Sequence, residues 1–330
     1  MRTGSYILII TVICTALTVG CGEEKSSAHA VPLSYNLPSK SYVPANAIKL
    51  VHVNFAALFS MHEVVDGVEQ FLSNIEGATA AMDALNFDLE HDLHEATFWL
   101  FANSDGAEGL VIDADVDFQA LVAIAKQVLP DGISLNDSNA RTESPTYMLV
   151  NNLKAGVRSA NITEHAGNIV IADIPANLLN TAIQTAETGT SAFYSDGFIK
   201  SHIDLVDTSN HIWYLTDYRK TYPDVQSTTA EPKPVVEYGG VRFERSISGK
   251  IGRIYASDKD AGTAKTNAES YFEAMHDVVT QILPERNILY KSFMDNLKIE
   301  RSGKLLIFTF SLSEQELLEV LEGVEQLRGF

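Results

Sequence analysis

The stretch Thr97-Phe98-Trp99-Leu100-Phe101, followed after a polar break by Gly109-Leu110-Val111-Ile112-Asp113, decides how the chain folds. Both runs are short, apolar and rich in aromatic or β-branched residues, which marks them as strands. A segment follows in which Phe118, Leu121, Val122, Ala125 and Leu129 recur every three or four residues. That spacing gathers them on one face of a helix. Pro130 ends it, because proline lacks an amide proton and crowds the preceding turn.

The same order recurs further on. His211-Ile212-Trp213-Tyr214-Leu215 and Gly252-Arg253-Ile254-Tyr255-Ala256 read as strands, and Ala268, Tyr271, Phe272, Met275, Val279 and Ile282 as the stripe of a helix. Trp99 and Trp213 are the only tryptophans. Both helices finish alike, with Gln127-Val128-Leu129-Pro130 and Gln281-Ile282-Leu283-Pro284. Each half then repeats the theme: strands over 157–163 and 168–174 with a helix from Pro175 to Ala186, then strands over 297–300 and 304–310 with a helix from Glu314 to Leu327. Ser313 and Glu316 have the spacing of a capping box. The expected fold is α+β: tandem-duplicated strand-strand-helix units forming antiparallel sheets with helices on one face. The halves are expected at 46–190 and 191–330. The second carries an extra loop, about 218–238, rich in Pro, Thr, Ser and Glu, of a length that is either functional or disordered.

The beginning of the chain has a different character. From Tyr6 to Val19 it is almost wholly apolar or small, with Arg2 as the one charge before Glu23. That length suits an export signal and is short for a membrane-spanning helix, which needs roughly 20 residues. Leu17, Thr18, Val19 and Gly20 lead directly to Cys21. This box resembles the signal of bacterial lipoproteins, with Thr18 standing where leucine is commonest. The resemblance covers residues 1–21 alone. It implies cleavage before Cys21 and acyl chains, palmitate among them, on that cysteine, which binds the protein to a lipid bilayer. Gly22 is similar to the pattern that sorts such proteins to the outer membrane of a host with two membranes. An ordinary cleaved signal peptide and an uncleaved helix are the other readings. Residues 21–45, with Ser26, Ser27, Pro32, Ser34, Pro38, Ser39, Ser41 and Pro44, read as a lipidated flexible tether.

Cys14 and Cys21 are the only cysteines. On this reading the mature body has no thiol, disulfide or cysteine-held metal. The charge is strongly acidic, 24 basic against 43 acidic side chains, net −19. Nucleic acid, whose phosphates need a basic surface, is therefore not an expected partner.

Few residues suggest chemistry. His91 and His94, three apart among Glu90, Asp92 and Glu95, are weak metal candidates, and the spacing differs from that of zinc proteases. Asp113, Asp115 and Asp117 alternate like the start of a calcium loop, but Phe118 and Ile124 occupy positions that such a loop gives to glycine and glutamate. A strand edge, with Asp117 capping the following helix, is the simpler account. Nucleophile elbows, phosphate loops and dinucleotide fingerprints are missing from the sequence. Lys126, Arg253 and Arg301 stand alone, Gly239-Gly240 reads as a turn, and the two tryptophans read as core. No cofactor and no catalytic residue is expected. The functional expectation is a membrane-anchored envelope lipoprotein that binds or scaffolds an envelope protein or small ligand. The alternatives are an envelope hydrolase with an acidic site between the halves, and a carrier of a hydrophobic ligand.

Overall fold

The computed structural model describes residues 37–60, 65, 68, 78–101, 107–128, 133–138, 144–151, 158–173, 177–221, 232–282, 295–313 and 316. Its strands are β1 (Ala47–Asn54), β2 (Leu93–Phe101), β3 (Glu108–Ala114), β4 (Ile133–Asp137), β5 (Thr146–Asn151), β6 (Arg158–His165), β7 (Asn168–Asp173), β8 (Ile212–Asp217), β9 (Val236–Phe243), β10 (Ile247–Ile254), β11 (Lys298–Ser302) and β12 (Leu305–Leu312). Three helices matter below: α1 (Phe118–Val128), α2 (Asn177–Thr188) and α3 (Asp258–Ile282). The strands hydrogen-bond in the order β11-β12-β10-β9-β8-β1-β2-β3-β7-β6-β5-β4.

This corrects the α+β expectation. The protein is mostly β, one antiparallel order of twelve strands, with strand at 40% and helix at 35%. Two stretches account for the difference. Ile133–Asp137 and Thr146–Asn151 pair as a hairpin that the sequence reading passed over. The supposed long loop gives way at Val236 to an eight-residue strand, whose Gly239 and Gly240 had read as a turn.

The chain divides into two compact units, residues 1–46 with 52–195, and 47–51 with 196–330. In the first, β2 and β3 pair, α1 follows, and the β6–β7 hairpin brings β7 beside β3. In the second, β9 and β10 pair, α3 follows, and the β11–β12 hairpin brings β12 beside β10. The two topologies correspond, but not in the register the tryptophans suggested. Trp99 lies on β2, whose counterpart is β9, whereas Trp213 lies on β8 and pairs with Gly240. Both tryptophans are buried, so their likeness is one of core composition.

The core of the first unit lies between α1 and the strands. Phe118, Leu121, Val122 and Ala125 pack with Leu110, Ile112, Ala160, Ile162, Ile169 and Ile171. Asp117 caps the helix, its Oδ1 accepting from the amides of Gln119 and Ala120 at 2.9 and 3.0 Å. The β6–β7 hairpin turns on Ala166 and Gly167, both with positive φ (49° and 79°), which suits the right-handed twist of the strands. The second core is smaller: Tyr255, Ala261, Leu306 and Phe308, with Ile251, Ala264, Ala268, Phe272, Leu297 and Ile299 against it.

Large rings lie over strand glycines on the neighbouring strand, as Trp99 does over Gly109. A methyl group on Gly109 would enter the indole, and Trp99 is wholly buried with no room to retreat. Gly109→Ala is expected to destabilise the protein by about 1–3 kcal/mol, the usual cost of overpacking, measured as a lower urea midpoint at unchanged slope.

Candidate functional site

Two places gather polar groups away from water, and they differ in what they can do. In the first unit, residues 39–42 form a single 3-10 turn that is packed rather than free, with Ser39, Tyr42 and Val43 buried. This turn lies within the stretch read as tether. Ser39 donates from its backbone N and its Oγ to Glu95 Oε1, each at 2.7 Å. Ser39 Oγ also shares a hydrogen bond with Thr97 Oγ1 at 2.6 Å, and Thr97 Oγ1 shares another with His52 Nδ1 at 2.9 Å. His52 Nε2 stands 3.7 Å from Glu95 Oε2. Burial holds the His52 imidazole below its usual pKa, against the pull of the Glu95 carboxylate.

Hydroxyl, imidazole and carboxylate in line resemble the parts of a hydrolytic relay. Thr97 and Ser39, however, are both fully buried, and their hydroxyls are spent on neighbours. The cluster clamps the 39–42 turn to β2. Around it, Asn168 Nδ2 donates to the Leu37 carbonyl at 2.8 Å, Ser191 Oγ to the Lys40 carbonyl at 2.9 Å, and Tyr42 Oη to the His165 carbonyl at 2.8 Å.

The metal candidates come apart. Exposed His91 pairs with Asp88 at 3.2 Å, and His94 with Asp115 at 3.1 Å. Among the described residues no group of three or more potential ligands stands together. Asp113 faces Glu95 and Asn168 across β3. Burial raises its carboxyl to a pKa of about 6, opposed by His94 and helped by Glu95 and Asp115. Its Oδ1 is buried without a hydrogen-bond partner among the described residues. Cys21 lies outside the described residues.

The second place is a cavity of about 470 Å³ in the second unit. One wall is the face of α3, with Ala264, Asn267, Ala268, Tyr271 and Phe272. The opposite wall comes from β10 and β12, with Ile251, Arg253, Phe308 and Phe310. Leu297, Tyr218, Tyr255 and the run Pro232-Lys233-Pro234 complete it. Its origin is in the sequence of α3. Where α1 turns Phe118, Leu121 and Val122 into its sheet, α3 offers Ala261, Ala264 and Ala268. Alanine side chains leave space that leucine and phenylalanine fill.

Polar groups enter this space at defined points. Ile251 faces Phe308 in the ladder, and Arg253 faces Glu237, so each pair shares a sheet face. Arg253 Nε donates to Glu237 Oε2 at 2.7 Å, and its guanidinium carbon lies 5.3 Å from the Phe308 ring centre. Tyr214 Oη reaches Glu237 Oε1 at 3.4 Å. Burial pushes the Tyr255 phenol above its usual pKa. Phe272 stands edge-on to both Tyr271 and Phe308, at 5.6 and 6.5 Å between centres. Tyr271, expected in the buried stripe, is instead 60% exposed, at the edge of the cavity. Lys233 Nζ is shut off from solvent and has no hydrogen-bond partner among the described residues.

Arg253 stood alone in the sequence and acquires its setting only from strand pairing. Lys233 lies in the stretch read as an extra loop, and the two flanking prolines were the signal for a stiff, presented residue. Of the other lone cations, Lys126 pairs with Asp137 at 3.2 Å and sits 4.7 Å over Tyr147, and Arg301 Nη1 donates to the Asp258 carbonyl at 3.0 Å. The chain matches no family model, no curated protein and no solved structure.

Two outcomes are expected in the first unit. Thr97→Val removes the hydroxyl that joins Ser39 to His52 and should cost about 1–3 kcal/mol in urea unfolding. Asp113 binds its proton more tightly folded than unfolded, so this residue costs stability as pH rises from about 4 to about 6. Asp113→Asn should therefore unfold like the parent near pH 4 and be more stable at pH 7.5. The gain is on the order of 1–2 kcal/mol after allowance for partial solvent contact. An equal gain at both pH values would refute the carboxyl explanation.

Proposed function

We propose that the protein is a lipid-anchored component of the bacterial cell envelope that binds a small ligand with an apolar body in the cavity of its second unit. The cavity carries this reading. Its volume, about 470 Å³, falls within the range of small-molecule sites, and its walls follow their usual make-up: aromatic and aliphatic surface with a few fixed polar groups. A side-chain layer like that of α1 would have closed it, so the opening follows from the choice of residues on α3.

The anchor rests on the leader, from Tyr6 through Cys21. Two or more acyl chains hold a protein at a bilayer stably, whereas one does so only marginally. No helix among the described residues is long and apolar enough to cross a membrane. Residues 22–36 would let the body stand at most ~50 Å from the anchor. In a host with two membranes, Gly22 favours the outer membrane. The partners on this reading are the bilayer, through acylated Cys21, and the cavity's ligand. The acidic charge makes nucleic acid a poor partner.

Two measurements test the two parts. The mass of the mature protein from native membranes should lack residues 1–20 and carry acyl chains on Cys21, and an unmodified terminus there would remove the anchor. For the cavity, a photoactivatable analogue of dodecanol should label peptides that contain Ala264–Phe272 or Ile251–Tyr255. Ala268→Trp, which fills the space, should weaken that labelling about ten-fold or more, a loss of at least ~1.4 kcal/mol of binding. Labelling that ignores the tryptophan would end the ligand-binding reading.

A further inference from the structure

The cavity holds one feature that an apolar ligand alone does not satisfy. Lys233 lines it, and the Nζ atom is buried without a hydrogen-bond partner among the described residues. An ammonium group removed from water without a hydrogen-bond acceptor is costly, and among the described residues Lys233 has none. Flexibility does not account for its position. Pro232 fixes its own backbone angle, and Pro234 restricts Lys233 to extended conformations, so the lysine is presented from a stiff three-residue strut.

The second cation of the cavity is already matched. Arg253 gives its Nε to Glu237 at 2.7 Å and lies over the Phe308 ring. Lys233 and Arg253 against Glu237 leave one positive charge in excess beside aromatic and aliphatic surface. The wider protein is acidic, net −19. At physiological salt that field fades within roughly 8–10 Å, whereas a contact pair inside the cavity is hardly screened. The local cation therefore decides which ligand is held.

We infer that the ligand is an anionic amphiphile, a carboxylate on a hydrocarbon body. The head group supplies the partner that the Lys233 ammonium lacks, and the body lies between the alanine face of α3 and the β10–β12 surface. This rests on the ligand-binding reading above. A carboxylate meets three requirements together: it accepts charge-assisted hydrogen bonds from the ammonium, carries the missing negative charge, and is small enough to leave the apolar volume for the chain.

The test compares photoactivatable analogues of dodecanoic acid and dodecanol on the mature, membrane-derived protein, with the labelled peptides mapped. The acid should half-saturate the Ala264–Phe272 and Ile251–Tyr255 peptides at about ten-fold lower concentration than the alcohol, as one charge-assisted bond requires. Lys233→Gln should abolish that preference, so that acid and alcohol half-saturate at the same concentration, and Lys233→Arg should keep it. Equal half-saturation by acid and alcohol, or a preference that survives in Lys233→Gln, would overturn the anionic ligand and leave the cavity reading standing. Failure of both probes to mark these peptides would overturn both. A second measurement is independent of any probe. Freed of an unpartnered buried charge, ligand-free Lys233→Met should melt about 2–4 °C higher than the parent. A lower melting temperature would mean that Lys233 serves the fold, and would refute the inference.

Discussion

Everything distinctive about the second unit depends on what α3 turns toward its strands. A helix packs on a sheet through side chains that bridge the gap between the two backbones, and that gap is nearly fixed by the geometry of strands and helices. In the first unit α1 bridges it with Phe118, Leu121 and Val122, all buried. In the second, the small side chains of Ala261, Ala264 and Ala268 take that place, and Ala264, Ala268, Phe272, Phe308 and Leu297 line the space. The helix survives because it is long, 25 residues, caps its start by Ser257 accepting from the Asp260 amide, and is fixed by Arg301 donating to the Asp258 carbonyl. A cavity of this size would destabilise a helix held only by its apolar face.

The first unit spends its polar residues differently. Ser39, His52, Glu95 and Thr97 hold one another through buried hydrogen bonds and the His52–Glu95 pair. The set lies beside the carbonyls of Leu37 and Lys40, which accept from Asn168 and Ser191. If Cys21 is acylated as proposed, a pull on the anchor is transmitted to this turn along the chain. Buried hydrogen bonds resist such a pull better than exposed ones, since breaking one leaves a desolvated group unpaired.

Much of this was legible in the sequence, and the rest failed for identifiable reasons. The stripe of α1, the Asp117 cap and the reciprocal hydrogen bonds of Ser313 and Glu316 are set by neighbours three or four residues away, which a single chain displays. Strands β4, β5 and β9 were missed although each pairs with a strand close by in sequence, β4 with its polar Ser134, Asn136 and Asp137 and β9 with its two adjacent glycines. Val-Glu-Tyr-Gly-Gly-Val contains the pair of residues that commonly marks a turn, yet Gly239 is glycine because Tyr214 and the Lys250 carbonyl crowd it from the neighbouring strands. The tryptophans misled for the same reason: equal composition does not imply equal place in the sheet. In the candidate site, Arg253 carries no local pattern and Lys233 only its two flanking prolines, because their setting comes from Glu237 across the ladder and from burial.

The two units also show why a repeated topology need not repeat a function. Strand order is dictated by backbone pairing and tolerates wide change in the side chains that fill the space above the sheet. Closing that space gives stability, and opening it gives a place to bind at the expense of stability. One unit of each kind, joined in a single chain, reconciles the two demands. The closed unit contains the clamp on the 39–42 turn, and the open unit contains the cavity. If its ligand is an amphiphile, the anchor adds a kinetic argument. Such molecules partition into bilayers, so acylation of Cys21 would hold the protein near the phase where its ligand is concentrated. The acidic surface keeps the body itself from adhering to anionic headgroups.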